Sequence, residues 1–266
     1  MTFDIGVTVP AVYDCDLIEG IERSANAGAD TIEFFDWESA NTQAIRETAA
    51  AHDIAVGGVL AAGAGSNIGD ADGEAISYPE SYDQAVADIE RSIEAANQLE
   101  ASTLIVTVGQ RVDTLSEAAQ HNAITRVLRE VAPTAEARDV TVVPEPLNTR
   151  VDHPGYFLES ADRGFEIVEA VGSSHVRLLY DIYHQQITEG NITQTLIDHL
   201  DLVGHVHVAD VPGRHEPGTG ELDYRNIFAA LTEASYEGVV SCEFGPTSNP
   251  DIAVKEVVEL ANLAHS

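Results

Sequence analysis

Glu145, Asp181, His207 and Glu243 stand at or beside the ends of four short β-branched segments, DVTVVPE, VRLLYD, VGHVHV and GVVSCEF. Three carboxylates and one imidazole make a set that a hard or borderline divalent cation accepts, with positions left over for substrate oxygens. The intervals between them are 36, 26 and 36 residues, close to the length of one strand, one helix and two loops in a repeating βα architecture. In barrels of that kind the C-terminal strand ends carry the chemistry. Taken singly, Asp181 could cap the helix that follows it, and His207 could be a hydrogen-bonded core histidine. Placed together on consecutive strands, four ionisable groups at one mouth would repel unless a cation neutralised them. A shared metal site is therefore expected.

Two basic clusters border these residues. PEPLNTRVDHPGYF places Arg150 and His153 just beyond Glu145, and HVADVPGRHEPGTGELDY places Arg214 and His215 just beyond His207. On so acidic a chain, cations gathered near one mouth point to an anionic or polyhydroxylated ligand, with Arg150 and Arg214 as substrate-binding candidates; the alternative is an ordinary Gly/Pro turn with exposed charge. His184 lies three residues after Asp181. It either leans over the same rim to bond a substrate hydroxyl or is a surface histidine in a first helical turn.

Elements that could position these groups alternate along the chain. Apolar β-branched runs are read as strands at Phe3 to Val9, Thr31 to Phe35, Ile54 to Leu60, Thr103 to Val108, Val140 to Glu145, Val176 to Asp181, Val203 to Val208 and Val239 to Phe244. Segments of helical period lie between them: Leu17 to Ala27, Thr42 to His52, Ser81 to Leu99, Thr114 to Ala137, Tyr156 to Val171, Ile192 to His199, Tyr224 to Ala234 and Ile252 to Ala264. Eight strands alternating with eight helices predict an α/β chain folded as a (β/α)₈ TIM barrel, one domain over residues 1–266, rather than an open doubly wound sheet. The stretch from Ala61 to Glu80 lacks periodicity and follows the third strand, so it is either a lid or a solvated surface excursion. Neither GxGxxG after the first strand nor GxxxxGK[ST] occurs, so no nucleotide-phosphate cradle is indicated.

Composition narrows the partners. With 44% hydrophobic but only 6% aromatic residues, the core must be built mainly from Val, Ile, Leu and Ala. The 45 Asp and Glu outnumber 13 Lys and Arg, for a formal net charge of −32, and Lys255 is the sole lysine. That pattern predicts a protein solvated in high salt, where the Debye length falls to about 3 Å at 1 M and relieves self-repulsion. It also disfavours nucleic acid as a partner. Cys15 and Cys242 show no metal-ligand spacing, and neither a basic-then-apolar leader nor 18 consecutive apolar residues is present. A cytoplasmic protein without a membrane partner is expected.

The stretches PEPLNTR, PGYFL, YDIYHQQITEGNI and GHVHVADVPGRHEPGTGELDY resemble the hydroxypyruvate isomerase family, within the wider xylose-isomerase-like sugar isomerase and epimerase barrels. The similarity covers the chain from about Val140 to the Phe244 strand and is weaker over the N-terminal half. It implies that Glu145, Asp181, His207 and Glu243 ligate Mg²⁺, Mn²⁺ or Co²⁺, and that Glu145 and Glu243 are the paired proton donor and acceptor. The implied reaction converts hydroxypyruvate to tartronate semialdehyde through an enediolate. Homo-oligomers are common among such relatives. Two departures stand out. Hydroxypyruvate isomerases usually carry glutamine at the place of His207, where ketose 3-epimerases carry histidine, and Asp181 with His184 repeats the epimerase spacing. The family's tryptophan and Glu-Arg-Gly triplet in the loop after strand three are absent from SNIGDADGEAISYPE. A ketose or ketose-phosphate 3-epimerase is the alternative, and a DNA-repair AP-endonuclease, which grips a phosphate backbone with a three-zinc cluster, is disfavoured by the charge.

Overall fold

Short runs with side chains of alternating character settle into eight parallel strands: β1 (Asp4–Thr8), β2 (Thr31–Phe34), β3 (Ala55–Leu60), β4 (Thr103–Val106), β5 (Thr141–Pro144), β6 (Leu178–Asp181), β7 (Val203–Val208) and β8 (Val239–Cys242). The computed structural model describes residues 3–63, 71, 73 and 75–264. The strands form one sheet in the order β5-β4-β3-β2-β1-β8-β7-β6. A parallel bridge between Val142 and Val176 spans the gap between β5 and β6, so the barrel is nearly closed, as the sequence predicts.

The helices follow the strands. Leu17–Ala27 forms over the expected residues, held by the Asp16 side chain on Glu19 N and ended by Gly28 at φ 93°. Glycine tolerates that left-handed conformation without strain. Thr42–Ala51, Tyr82–Leu99, Glu117–Arg138, Ile192–Asp198, Tyr224–Glu233 and Pro250–Leu263 lie within a few residues of their expected limits. The helix expected from Tyr156 begins instead at Ala161, behind a Ser160 cap on Arg163 N. Tyr156 is held elsewhere: its hydroxyl accepts from Val108 N at 2.7 Å and donates to Glu145 O at 3.0 Å. A helix not foreseen, Ile182–Thr188, starts directly from Asp181.

Strand alternation sorts the residues into two layers. Ile5 and Val7, Ile32 and Phe34, Val206 and Val208, and Val240 and Cys242 belong to the large apolar core against the helices. Their neighbours Thr8, Glu33, His205, His207 and Ser241 therefore face the barrel interior, and all are buried. On the opposite side Ile105, Val143 and Leu179 form a separate interior cluster, with Leu60 packed on it. The expectation of an aliphatic core holds for the outer layer and for half of the inner one. The other half is polar. Among the described residues no helix is long and apolar enough to cross a membrane.

Candidate active site

Four strand ends bring the expected cluster together. Glu145 and Glu243 lie one residue beyond β5 and β8, yet their backbones stay on the neighbouring strands, through Glu145 N to Val106 O and Glu243 N to Val208 O, both at 3.1 Å. Asp181 closes β6 and His207 lies near the end of β7. Ligand atoms of all four lie within 4.8 Å of one another, and all four residues are buried. His207 Nδ1 is 3.2 Å from Glu243 Oε2 and 3.6 Å from Glu145 Oε1.

Charge crowding sets the protonation of this cluster. Burial pushes the Asp181 carboxyl up to about 7, with Glu243 and Glu145 adding to the rise against the pull of Arg214. Burial works in the same sense on Glu243, but Arg214 and His207 outweigh it and hold that carboxyl well below the usual range. His207 is raised: burial favours the neutral ring, and the Glu243 and Glu33 carboxylates prevail over it. The Arg214 guanidinium lies 2.5 Å from Glu243 Oε2 and 3.8 Å from Asp181 Oδ2, and stacks over the Tyr183 ring.

The residues present suit a divalent cation. Glu145 Oε1 and His207 Nδ1 are buried without a hydrogen bond, and such orphaned groups are costly unless something else satisfies them. Three carboxylates with one imidazole offer the mixed oxygen and nitrogen donors that Mg²⁺, Mn²⁺ and Co²⁺ accept.

Arg214 reaches the cluster on a braced loop. The buried Asp210 carboxylate accepts from the backbone N–H groups of Val211, Gly218, Gly220 and Leu222 at 2.9 to 3.1 Å, and Arg214 itself takes a left-handed φ of 56°. His184 is fully buried, with Nδ1 accepting from Asn148 N at 3.1 Å and Nε2 left without a partner. Burial, then the Arg214 charge, keep its ring neutral. Both lie beside the cluster, His184 Nε2 at 3.8 Å from Asp181 Oδ2 and Arg214 on Glu243, so of the alternatives for these residues the surface histidine and the merely exposed turn do not hold.

Arg150 does not join it. It is exposed and donates to Ile187 O at 2.9 Å, because the loop after Glu145 turns its side chain outward along the Ile182–Thr188 helix. His215 pairs with Gly245 O at 2.7 Å, whereas His153 lines the cavity. That cavity, of about 350 Å³, is lined by Glu145, His207 and Glu243 of the cluster, and its other walls include Phe35, Leu60, Ile105, Leu147, His153 and Arg214. A larger groove of about 770 Å³ lies near the start of β3, lined by Arg46, Glu47 and Glu100. It gathers none of the candidate ligands, and the N-terminal face of such barrels serves stability rather than chemistry. Of the possible lid from Ala61 to Glu80, residues 64–70, 72 and 74 lie outside the described residues, and Ala75, Ile76 and Ser77 towards its end are buried.

Sequence reasoning missed Glu33 and His205. Glu33 Oε2 is 3.0 Å from His207 Nε2, and Glu33 Oε1 is 2.5 Å from His205 Nε2 without hydrogen-bond alignment. The signal for His205 was its position two residues before His207, on the same strand face.

A family model described as xylose isomerase-like TIM barrel matches residues 21–262. A 2-oxo-tetronate isomerase of Cupriavidus necator is 43% identical over 115 residues, covering 43% of this chain and 44% of that protein. The hydroxypyruvate isomerase of Escherichia coli is 33% identical over 135 residues, 51% of this chain and 52% of its own. The chain thus spans about half the length of the curated relatives it matches. Among solved structures, a family 2 AP endonuclease from Brucella melitensis superposes with a TM-score of 0.87 at 24% identity, over 97% of this chain and 98% of that one.

Proposed function

The chain belongs to the xylose isomerase-like TIM barrel family, and from that premise we propose that it is a divalent-cation-dependent isomerase of a small sugar acid, interconverting hydroxypyruvate and tartronate semialdehyde. The observation that carries this reading is the convergence of Glu145, Asp181, His207 and Glu243 on one point, beside a cavity of about 350 Å³ that Glu145, His207 and Glu243 line. These four residues would hold Mg²⁺, Mn²⁺ or Co²⁺. Such a cation, when bound, polarises adjacent carbonyl and hydroxyl oxygens and stabilises developing negative charge.

The chain's own residues account for the proton. Glu243, held ionised by Arg214 and His207, is placed to accept a proton from the carbon that bears the hydroxyl. Glu145, on a non-adjacent strand, is the partner that returns a proton to the neighbouring carbon. For hydroxypyruvate the proton leaves C3 and arrives at C2, and the hydroxyl proton passes from O3 to O2. The carbonyl thereby moves to C3 with no net change in atoms or electrons. Neutral His184, with an unpartnered Nε2, donates a hydrogen bond to a substrate oxygen, and Arg214 faces a substrate carboxylate. Phe35, Leu60, Ile105 and Leu147 exclude water from one wall. A positioned base of this kind contributes about 10² to 10⁴-fold in rate.

A ketose 3-epimerase is the second reading, favoured by His207 in place of glutamine. It needs the two glutamates to serve opposite faces of one carbon. Nucleic acid has no place in either reading, since a chain of net charge −32 repels a phosphate backbone. The deciding experiment is a panel of hydroxypyruvate, a four-carbon 2-oxo acid, and free and phosphorylated ketoses, each supplied with Mg²⁺, Mn²⁺ or Co²⁺ at low and molar KCl. Turnover of the sugar acids, abolished by chelation, supports the isomerase. Conversion of ketoses alone moves the assignment to the epimerase.

A further inference from the structure

We propose that Glu33 is a positioning residue for His207, holding the Nε2–H of that ring so that Nδ1 turns its lone pair to the cation position that His207 would share with Glu145, Asp181 and Glu243. The inference rests on the metal-dependent reading of the site, and it adds residues from β1, β2 and the middle of β7 that the reading does not use.

Glu33 lies on the inward face of β2 and is 0% exposed. An isolated carboxylate there would be strongly unfavourable, so its partners define its role. Oε2 accepts from Thr8 Oγ1 at 3.1 Å and faces His207 Nε2 at 3.0 Å. Oε1 faces His205 Nε2 at 2.5 Å. Room for the side chain comes from Gly58 on β3, where a Cβ would lie 3.4 Å from Glu33 Cγ and 2.7 Å from Thr103 Oγ1. A carboxylate accepts hydrogen bonds and donates none, so the His207 nitrogen facing it must carry the proton. The other nitrogen, Nδ1, is the one beside Glu145 and Glu243. Carboxylates that hold the far nitrogen of a ligating imidazole fix its tautomer and orientation and raise its basicity; their removal typically costs about 10 to 100-fold in metal affinity.

The same atoms permit a competing arrangement, because Glu33, His205 and His207 also come within ligand distance of one another. A cation held there would make Glu33 a ligand rather than a positioning group. Shared ligation is hard to reconcile with a 2.5 Å approach of Oε1 to His205 Nε2, which is closer than two separate donors stand when each lies at an ordinary metal–ligand distance from one ion. Stoichiometry separates the alternatives.

The test titrates metal-free protein with Co²⁺ by calorimetry and by its visible spectrum, in the wild type, Glu33→Gln and Glu33→Leu. One cation per chain is expected. The leucine variant should bind about 10 to 100-fold more weakly, and the glutamine variant, which keeps an acceptor oxygen, should recover part of the loss. Histidine ¹⁵N spectra of the Zn²⁺-loaded wild type should show His207 protonated at Nε2 and metal-bound at Nδ1, a measurement that stands even if a variant fails to fold. Unchanged affinity in a folded leucine variant, ligation through Nε2, or two cations per chain would each overturn the proposal while leaving the isomerase reading intact. A wild type that takes up no cation overturns both.

Discussion

The two halves of the barrel interior have the same strand alternation and opposite chemistry. On the β4, β5 and β6 side, Ile105, Val143 and Leu179 pack as an aliphatic cluster. On the β1, β2, β7 and β8 side, Thr8, Glu33, His205, His207 and Ser241 occupy the equivalent depth, and all are essentially inaccessible. The aliphatic half gains by simple removal from water, about 25 cal/mol per Å². The polar half gains only where every donor and acceptor is paired, and it is not fully paired: Thr31 Oγ1, Glu33 Oε1, both His205 nitrogens and His207 Nδ1 are buried without hydrogen bonds. Below the mouth, stability is therefore concentrated in the aliphatic cluster and unsatisfied polar groups in the other half, while the mouth itself draws on both sides, with Glu145 and Asp181 at the ends of β5 and β6 meeting His207 and Glu243.

The largest expected effect breaks the polar side. Glu243→Gln keeps the size and a carbonyl ligand but removes the base, so turnover should fall by about 10² to 10⁴-fold while cation binding survives in part. Solvent deuterium incorporation next to the carbonyl should fall with it. If the glutamine variant, shown to retain metal, exchanged and converted substrate like the wild type, Glu243 would be a ligand alone. On the aliphatic side, Leu179→Ala should destabilise the fold by about 2 to 5 kcal/mol, read by denaturant unfolding, with Co²⁺ affinity unchanged within about twofold. A large loss of affinity in that variant would show that the halves are coupled and the division unsound.

The difference between the halves also marks what the sequence discloses. The β7 limits, Val203–Val208, and the helix Leu17–Ala27 match the sequence reading, because both carry strong periodicity and the helix carries its own caps. Glu145, Asp181, His207 and Glu243 are recognisable because each breaks an apolar run at its end. Glu33 is not, since it interrupts TIEF in mid-strand and its partner His207 lies 174 residues away. The helix start at Ala161 is obscured by a tertiary contact, the Tyr156 hydroxyl buried under β4 and β5, which no local pattern carries. Arg150 and Arg214 look equivalent in sequence, each a few residues past a ligand. Only the bracing of the second loop by Asp210 brings one of them to the cluster.

Proton competition gives the next effect. Because burial and the neighbouring carboxylates push Asp181 up to about 7, a cation arriving below that pH must displace its proton. The raised His207 acts in the same direction. Affinity for Mn²⁺, measured by calorimetry, should climb as pH rises through about 7, the range in which Asp181 gives up its proton. In the metal-free protein the same raised group contributes stability below its ordinary value of 3.8 that is lost as pH rises through about 7. An affinity flat across this window would show that Asp181 and His207 do not contend with protons for the ion.

Salt acts on the outer surface rather than on either half. Among the described residues the buried acidic groups are Glu33, Asp88, Glu145, Asp181, Asp210, Glu216 and Glu243, so most of the 45 acidic residues are at least partly open to screening. The melting temperature should rise from dilute buffer to molar KCl as the Debye length shrinks from about 10 Å at 0.1 M to about 3 Å at 1 M. A flat profile would reject salt adaptation.

The smallest effect sharpens the contrast between the two arginines at the mouth. Arg150 is exposed and donates to Ile187 O at 2.9 Å. Arg214 is held 2.5 Å from Glu243 Oε2 and lines the cavity. Arg150→Ala removes a solvated hydrogen bond and should change stability by no more than about 0.5 kcal/mol, with KM and kcat for hydroxypyruvate near wild type. Arg214→Ala should raise KM, because it removes the cation facing a substrate carboxylate, and lower kcat, because Glu243 loses the charge that keeps it ionised. A rise in KM confined to Arg150→Ala would mean that the loop after Glu145 swings inward when substrate binds. The anion contact would then belong to that loop instead of the one braced by Asp210.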